Sequence, residues 1–220
     1  WSFYMGTNPA ADGTPYVRQG VQWQRHELLP LQAGIVEPPA KGAYYTAAGL
    51  RFIADQPVDY IHLLYRKFRL FWHAFEIPVS ADMSYYQQRS SLSRVLLLNF
   101  GVLIPFALVG MLFRLRRQRQ HVLIGGFVLT SLATGLLFTV CARYRLPAVP
   151  FLIMFGAHGI WQLMQLARER NLRAAGLFLL LLLFSFTLVH TGVDERQVDH
   201  VRSDLLLGRV YKLTGKYGLA

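Results

Sequence analysis

Four long runs of uncharged residues constrain this chain more than any other feature of its sequence. They cover residues 95–113, 122–142, 146–167 and 174–193. Each run is close to the ~20 residues that a helix needs to cross a hydrocarbon layer of about 30 Å. A soluble protein that buried four such helices would keep little polar surface, since 53% of the chain is hydrophobic and only 16% is charged. We therefore predict an all-α membrane protein with four transmembrane helices.

The short connections between these runs predict how the chain is oriented. Residues 114–120 (RLRRQRQ) hold four arginines and residues 168–173 (RERNLR) hold three, whereas the turn at 143–145 holds two. Short loops rich in Lys and Arg remain on the cytoplasmic side. Residues 1–93, the 143–145 turn and the C-terminal tail are then expected on the opposite side. This bias also explains the net charge of +11, so no nucleic-acid partner is predicted.

Three regions follow from this division. They are an extracytoplasmic loop and helix region over 1–93, the transmembrane region over 94–193 and a tail over 194–220. In the first region, apolar residues after Pro57 repeat with the spacing of an amphipathic helix. We predict that this helix lies at the membrane interface, and packing on its own domain is the alternative. Its apolar positions are Ile61, Leu64, Tyr65, Phe68, Phe71, Trp72 and Phe75, and its basic face holds His62, Arg66, Lys67, Arg69 and His73.

The tail resembles the start of a helical repeat. Leu207, Gly208 and Tyr211 match the Leu-Gly-x2-Tyr core of a tetratricopeptide repeat, although Asp204 stands where that repeat has Trp. One partial repeat cannot bury its own apolar face, so further repeats are expected after it. A plain amphipathic helix is the alternative. Because the chain opens at Trp1 and not at Met, we interpret it as a fragment of a longer protein.

Arg143 and Arg145 form the strongest candidate site. A charge at membrane depth is costly, and a guanidinium group is a planar fork that suits phosphate oxygens. Pro147 and Pro150 follow and could open the start of the third membrane helix, which would free backbone groups to line a cavity. These residues alone leave two interpretations equally open. One is a site for a lipid-linked phosphate, with Tyr144 shaping the pocket, and the other is snorkelling of two boundary arginines to the headgroups.

Three stretches carry a family resemblance. Residues 142–150 (ARYRLPAVP), with the apolar run that follows, resemble the Arg-Tyr-Arg-x-Pro-x-x-Pro stretch of GT-C-type glycosyltransferases, the protein O-mannosyltransferase and aminoarabinose-transferase kind. Residues 6–14 (GTNPAADGT) and 52–76 (FIADQPVDYIHLLYRKFRLFWHAFE) are similar to the outer segment that precedes the last spans of bacterial members. Some members continue into tetratricopeptide repeats. The resemblance covers nearly the whole chain.

The resemblance implies transfer of a sugar from a polyprenyl-phosphate donor to an acceptor, on the non-cytoplasmic side of a bacterial inner (plasma) membrane. It implies that Arg143 and Arg145 contact the donor phosphate and stabilise the charge of the leaving group. Tyr144 and Lys67 are further candidates for donor-phosphate binding. The catalytic carboxylate of such enzymes belongs to an early outer loop, which we expect upstream of Trp1. The catalytic residue is therefore unknown, and the fragment alone is expected to be inactive.

Other chemistry finds little support in the sequence. The seven histidines are scattered and the single cysteine, Cys141, excludes an internal disulfide. No metal-ligand spacing or cofactor motif is present, and a need for a divalent metal is unknown. The expected partners are the lipid bilayer, the lipid-linked sugar and a protein bound through the repeats. The alternative function is a non-enzymatic, membrane-anchored tetratricopeptide-repeat scaffold.

Overall fold

The computed structural model describes residues 1–15, 21–75, 77, 100–115, 120–192 and 212. The regular secondary structure of these residues is entirely helical, which confirms the predicted all-α class. The helices are α1 (Ser2–Gly6), α2 (Val21–Gln32), α3 (Pro38–Asp55), α4 (Pro57–Trp72), α5 (Phe100–Leu115), α6 (Gln120–Leu137), α7 (Ala142–Arg145), α8 (Val149–Arg168) and α9 (Leu172–His190), with a 3₁₀ turn over Leu146–Ala148. The predicted repeat over 194–220 lies outside the described residues, apart from Lys212.

Two stretches of helix are long and apolar enough to cross a membrane. They are Ala142–Arg168, which joins α7 to α8, and α9. Two further apolar helices are shorter, over Phe100–Phe113 and Val122–Leu137. The second uncharged run gives a short helix because the chain leaves helical geometry after α6. The N–H of Val140 instead donates a hydrogen bond of 2.8 Å to the carbonyl oxygen of Gly13.

Helices α5 and α8 pack closely because glycine lines their contact. A methyl group on Gly159 would lie 2.6 Å from the carbonyl oxygen of Phe106, closer than real contacts allow. Small residues let helix backbones approach in this way where lipid removes the hydrophobic force between helices. The outward faces carry large exposed apolar side chains, among them Phe127 of α6, Trp161 of α8 and Leu180 of α9. Apolar surface of this extent marks a membrane or protein contact.

Helix α4 lies across one end of this bundle, which we call the α4 end. Helices α5 and α8 begin there, and α6 and α9 finish there. A single buried cluster joins Phe71 and Trp72 of α4 to Ile104 of α5, Leu152 of α8 and Val189 of α9. The N-terminal region and the 143–145 turn therefore lie at the same end of the bundle.

The two faces of α4 differ from the predicted ones in one important respect. The helix after Pro57 is confirmed, but Lys67 lies on its buried face together with Leu63 and Leu70. It is therefore wrong to place Lys67 on an exposed basic face. Ile61 and Tyr65 remain 64% and 61% exposed, so an apolar stripe points away from the protein. One side of α4 packs on the chain and the other is free for an interface.

Candidate functional site

The turn that carries the predicted arginines is helical throughout. Cys141 is extended, α7 makes a single turn, and the 3₁₀ turn leads directly into α8. Pro147 lies in the 3₁₀ turn and Pro150 in the first turn of α8. The missing N–H of a proline costs nothing in a first turn, since that group has no intrahelical partner there. The prolines thus start α8, and the expectation that they open it is wrong.

Arg145 points inward from this turn and is only 2% exposed. One terminal nitrogen donates to the carbonyl oxygen of His73 over 2.7 Å, and the other donates to that of Phe75 over 2.8 Å. Its guanidinium carbon lies 4.2 Å from the ring centre of Phe100. These carbonyls directly follow α4, where a cation is favoured by the helix dipole. Arg145 therefore fixes the end of α4 against the start of α8 and α5.

Lys67 is completely buried and serves a second helix end. Its ammonium group donates a hydrogen bond of 2.8 Å to the carbonyl oxygen of Leu136, in the last turn of α6. Burial lowers the pKa of Lys67 to about 8. The 6–14 loop covers this side chain, since a methyl group on Gly6 would lie 3.2 Å from Nζ. This loop is itself partly buried, with Thr7 and Asn8 among its least exposed residues.

Arg69 serves a third helix end. It donates to the carbonyl oxygen of Leu188 over 3.2 Å and also to that of Thr191. Both carbonyls lie where α9 finishes, so their oxygens have no helical partner of their own. The three cations Lys67, Arg69 and Arg145 thus each bind the C-terminal end of a different helix.

His73 stands between these cations as a neutral ring. Its Nδ1 accepts the N–H of Phe75 over 3.1 Å, so the proton resides on Nε2. That Nε2 is buried and has no hydrogen-bond partner among the described residues. The pKa of His73 is lowered to about 4, by burial first and then by the nearby charges of Arg145, His190 and Arg69 in that order. The α4 end is therefore strongly positive around His73.

Arg143 and Tyr144 face the opposite way from Arg145. Arg143 is exposed and Tyr144 is 42% exposed. No hydrogen bond joins any two of the four predicted residues in the part of the chain that the structure describes. The structure thus separates them into an outward pair, Arg143 and Tyr144, and a buried pair, Arg145 and Lys67, which hold helix ends.

Sequence reasoning did not single out three residues of this end. Arg69 and His73 are predicted only as part of the basic face of the helix after Pro57, and His190 is not predicted as a site residue. A signal was available for two of them, because Arg69 lies in the last turn of α4 and His73 directly follows that helix, where basic residues favour the helix end. Nothing in the sequence indicates that His190, at the far end of the chain, joins them.

Within the described ranges, no group of three or more His, Cys, Asp or Glu side chains could hold a metal ion.

No protein-family model, no curated protein and no solved structure matches the chain.

Proposed function

We propose that this chain is part of an integral membrane glycosyltransferase that moves a sugar from a polyprenyl-phosphate donor to an acceptor on the non-cytoplasmic side. Helices α5, α6, α8 and α9 form its four spans, with α5 and α6 the shorter ones. The exposed apolar surface of α6, α8 and α9 supports this arrangement. The α4 end then faces away from the cytoplasm, because the arginine-rich connections lie at the other end.

The observation that carries the proposal is the accessible pair Arg143 and Tyr144 on a turn that Arg145 fixes. A fixed turn presents the Arg143 fork without loss of backbone entropy, which favours binding of a phosphate. The nearby charges of Arg69 and Arg145 add a positive potential that attracts a lipid-linked anion at the membrane surface. The ring of Tyr144 is available to shape the pocket.

We assign different roles to the predicted site residues. Arg143 contacts the donor phosphate and stabilises the charge that develops on the leaving group. Arg145 and Lys67 are buried against carbonyl oxygens, so we assign them to positioning, with their charge acting over distance. The catalytic carboxylate would come from an outer loop that is not among these residues.

A transfer assay on the full-length protein tests this assignment. Arg143→Ala should lower the rate at least ten-fold, since a charge-assisted hydrogen bond is worth about 1.5–3 kcal/mol. Arg143→Lys should recover only part, because an ammonium group lacks the planar fork. Arg168→Ala is the matched control, since Arg168 is also exposed and lies at the end of α8 away from the site. Wild-type rates for Arg143→Ala would refute the phosphate contact.

The assay also separates the alternative. If the full-length protein carries no transferase activity with any polyprenyl-phosphate sugar, the membrane-anchored scaffold becomes the better explanation. The tail that would bind its partner, over 194–220, lies outside the described residues apart from Lys212.

A further inference from the structure

A groove of about 640 Å³ opens between α2 and α3, on residues that the proposed donor site does not use. Its volume falls in the range of sites for small organic ligands. Glu27 and Leu31 are one helical turn apart on α2, and Lys41 and Tyr45 are one turn apart on α3, so each helix offers one face. The lining residues are Trp1, Glu27, Leu31, Pro38, Lys41, Gly42 and Tyr45.

The aromatic residues of the groove are held rigidly. Tyr45 is 6% exposed, and its hydroxyl donates a hydrogen bond of 2.8 Å to the carbonyl oxygen of His26. The ring of Trp1 meets the ring of Tyr45 edge to face, with 4.6 Å between the ring centres. This packing on the buried Tyr45 holds the half-buried indole of Trp1 in place, so Trp1 offers the apolar surface of the groove at little cost in entropy.

Two opposite charges face the groove from its two walls. The Glu27 carboxylate on α2 and the Lys41 ammonium group on α3 make no ion pair or side-chain hydrogen bond in the described part of the chain. Glu27 nevertheless lies near the aromatic ring of Tyr45. The pKa of Tyr45 is raised by burial first and then by the negative charge of Glu27.

These features define the ligand by elimination. A simple anion would be attracted by Lys41 but repelled by Glu27, and a simple cation would experience the reverse, so neither gains a net electrostatic attraction from the groove. A purely apolar ligand would take both charges out of water without a partner, which is costly. A sugar ring meets every requirement, since its C–H face packs on an aromatic side chain while its hydroxyls donate to a carboxylate and accept from an ammonium group.

We infer that the groove between α2 and α3 binds a pyranose ring, as the site for a saccharide acceptor. Its identity as an acceptor rests on the proposed function, since a glycosyltransferase needs a second substrate with a free hydroxyl. The binding itself does not, because it depends only on Trp1, Glu27 and Lys41.

Saturation-transfer-difference NMR on the full chain in lipid nanodiscs tests the binding. Methyl α-glucoside, methyl α-mannoside and methyl α-galactoside serve as probes, with glycine as a zwitterion. We expect saturation of the ring C–H protons of at least one glycoside, reduced at least three-fold by Glu27→Ala and by Lys41→Met. Asp55→Ala and Arg51→Met are the matched controls, being exposed charges on α3 outside the groove, and should leave the signal unchanged.

Three outcomes would overturn the inference. They are no saturation of any glycoside, a signal that Glu27→Ala and Lys41→Met leave intact, and displacement of the glycoside by glycine, which would indicate a zwitterion site. The test is independent of the donor site, because Arg143→Ala should bind the glycoside normally. Glycoside binding by the chain without sugar transfer by the full-length protein would thus retain the groove and refute the transferase, and transfer by the full-length protein with no glycoside bound at this groove would do the reverse.

Discussion

The ammonium group of Lys67 lies 2.8 Å from the carbonyl oxygen of Leu136, which attaches α4 to the last turn of α6. Arg69 binds the end of α9 in the same way, and Arg145 binds the backbone at the end of α4. The last carbonyls of a helix lack partners and carry partial negative charge, so a cation satisfies both needs at once. The first role of the basic residues at the α4 end is therefore structural, because they stabilise its helix ends.

The lowered pKa of Lys67 predicts how stability depends on pH. The pKa of this lysine is 10.5 in the unfolded chain and about 8 in the folded protein. Between those values the unfolded chain binds more protons, so the free energy of unfolding should rise with pH. Below about pH 8 both states are protonated and the dependence should vanish. Thermal unfolding at pH 7–10 checks this, and Lys67→Met should abolish the rise.

Sequence patterns predicted the helices well. They predicted poorly the side chains whose burial depends on contacts with residues distant in the sequence. The helical class follows from the length of the uncharged runs, and the helix after Pro57 follows from its apolar spacing. The burial of Lys67 does not, because it depends on a carbonyl of Leu136 at a sequence distance of 69 residues. The sequence likewise does not show that Arg143 is exposed and Arg145 is buried. They lie two residues apart on one helical turn, and only the packing of α4 decides which of them is buried.

His73 predicts a loss of stability in acid. Its pKa is about 4 when folded and 6.5 in its ordinary state, so the unfolded chain binds the extra proton between these values. The free energy of unfolding should then fall as pH drops from about 6.5 to 4, by about 3 kcal/mol in total. His73→Asn keeps an acceptor for the N–H of Phe75 and should remove most of this fall. His62→Asn, at an exposed histidine of α4, should leave it unchanged.

We expect substitution of Arg145 to destabilise the fold and substitution of its neighbour Arg143 to leave stability unchanged. Arg145→Met leaves the carbonyl oxygens of His73 and Phe75 without their donor, at about 1–3 kcal/mol for each buried group. Arg145→Lys can reach only one of the two and should lose about half as much. Arg143→Ala should unfold like the wild type, since Arg143 is exposed. Equal melting temperatures for Arg145→Met and the wild type would contradict the anchoring role.

Because α5 and α8 are in close contact at Gly159, we expect a larger side chain at this position to destabilise the protein strongly. Gly159→Leu would force a side chain into the carbonyl of Phe106 and separate the two helices. We expect aggregation in detergent, or a melting temperature lower by several degrees, as measured by size-exclusion chromatography and thermal unfolding. Gly126→Leu on α6 is the control, because no heavy atom lies within 4 Å of its added Cβ. If both variants behave alike, the close approach is not what holds the helices together.

The exposed stripe of α4 predicts where this helix lies in the bilayer. Ile61 and Tyr65 point away from the protein, and Arg66 and His62 flank them, as in helices that rest in the headgroup region. A spin label at Ile61→Cys, in a Cys141→Ala background, should be more accessible to oxygen than to a water-soluble nickel chelate. A label at Arg51→Cys, exposed on α3, should show the opposite preference. If the label at position 61 is as accessible to the chelate as the label at 51, α4 faces water and the interfacial prediction is wrong.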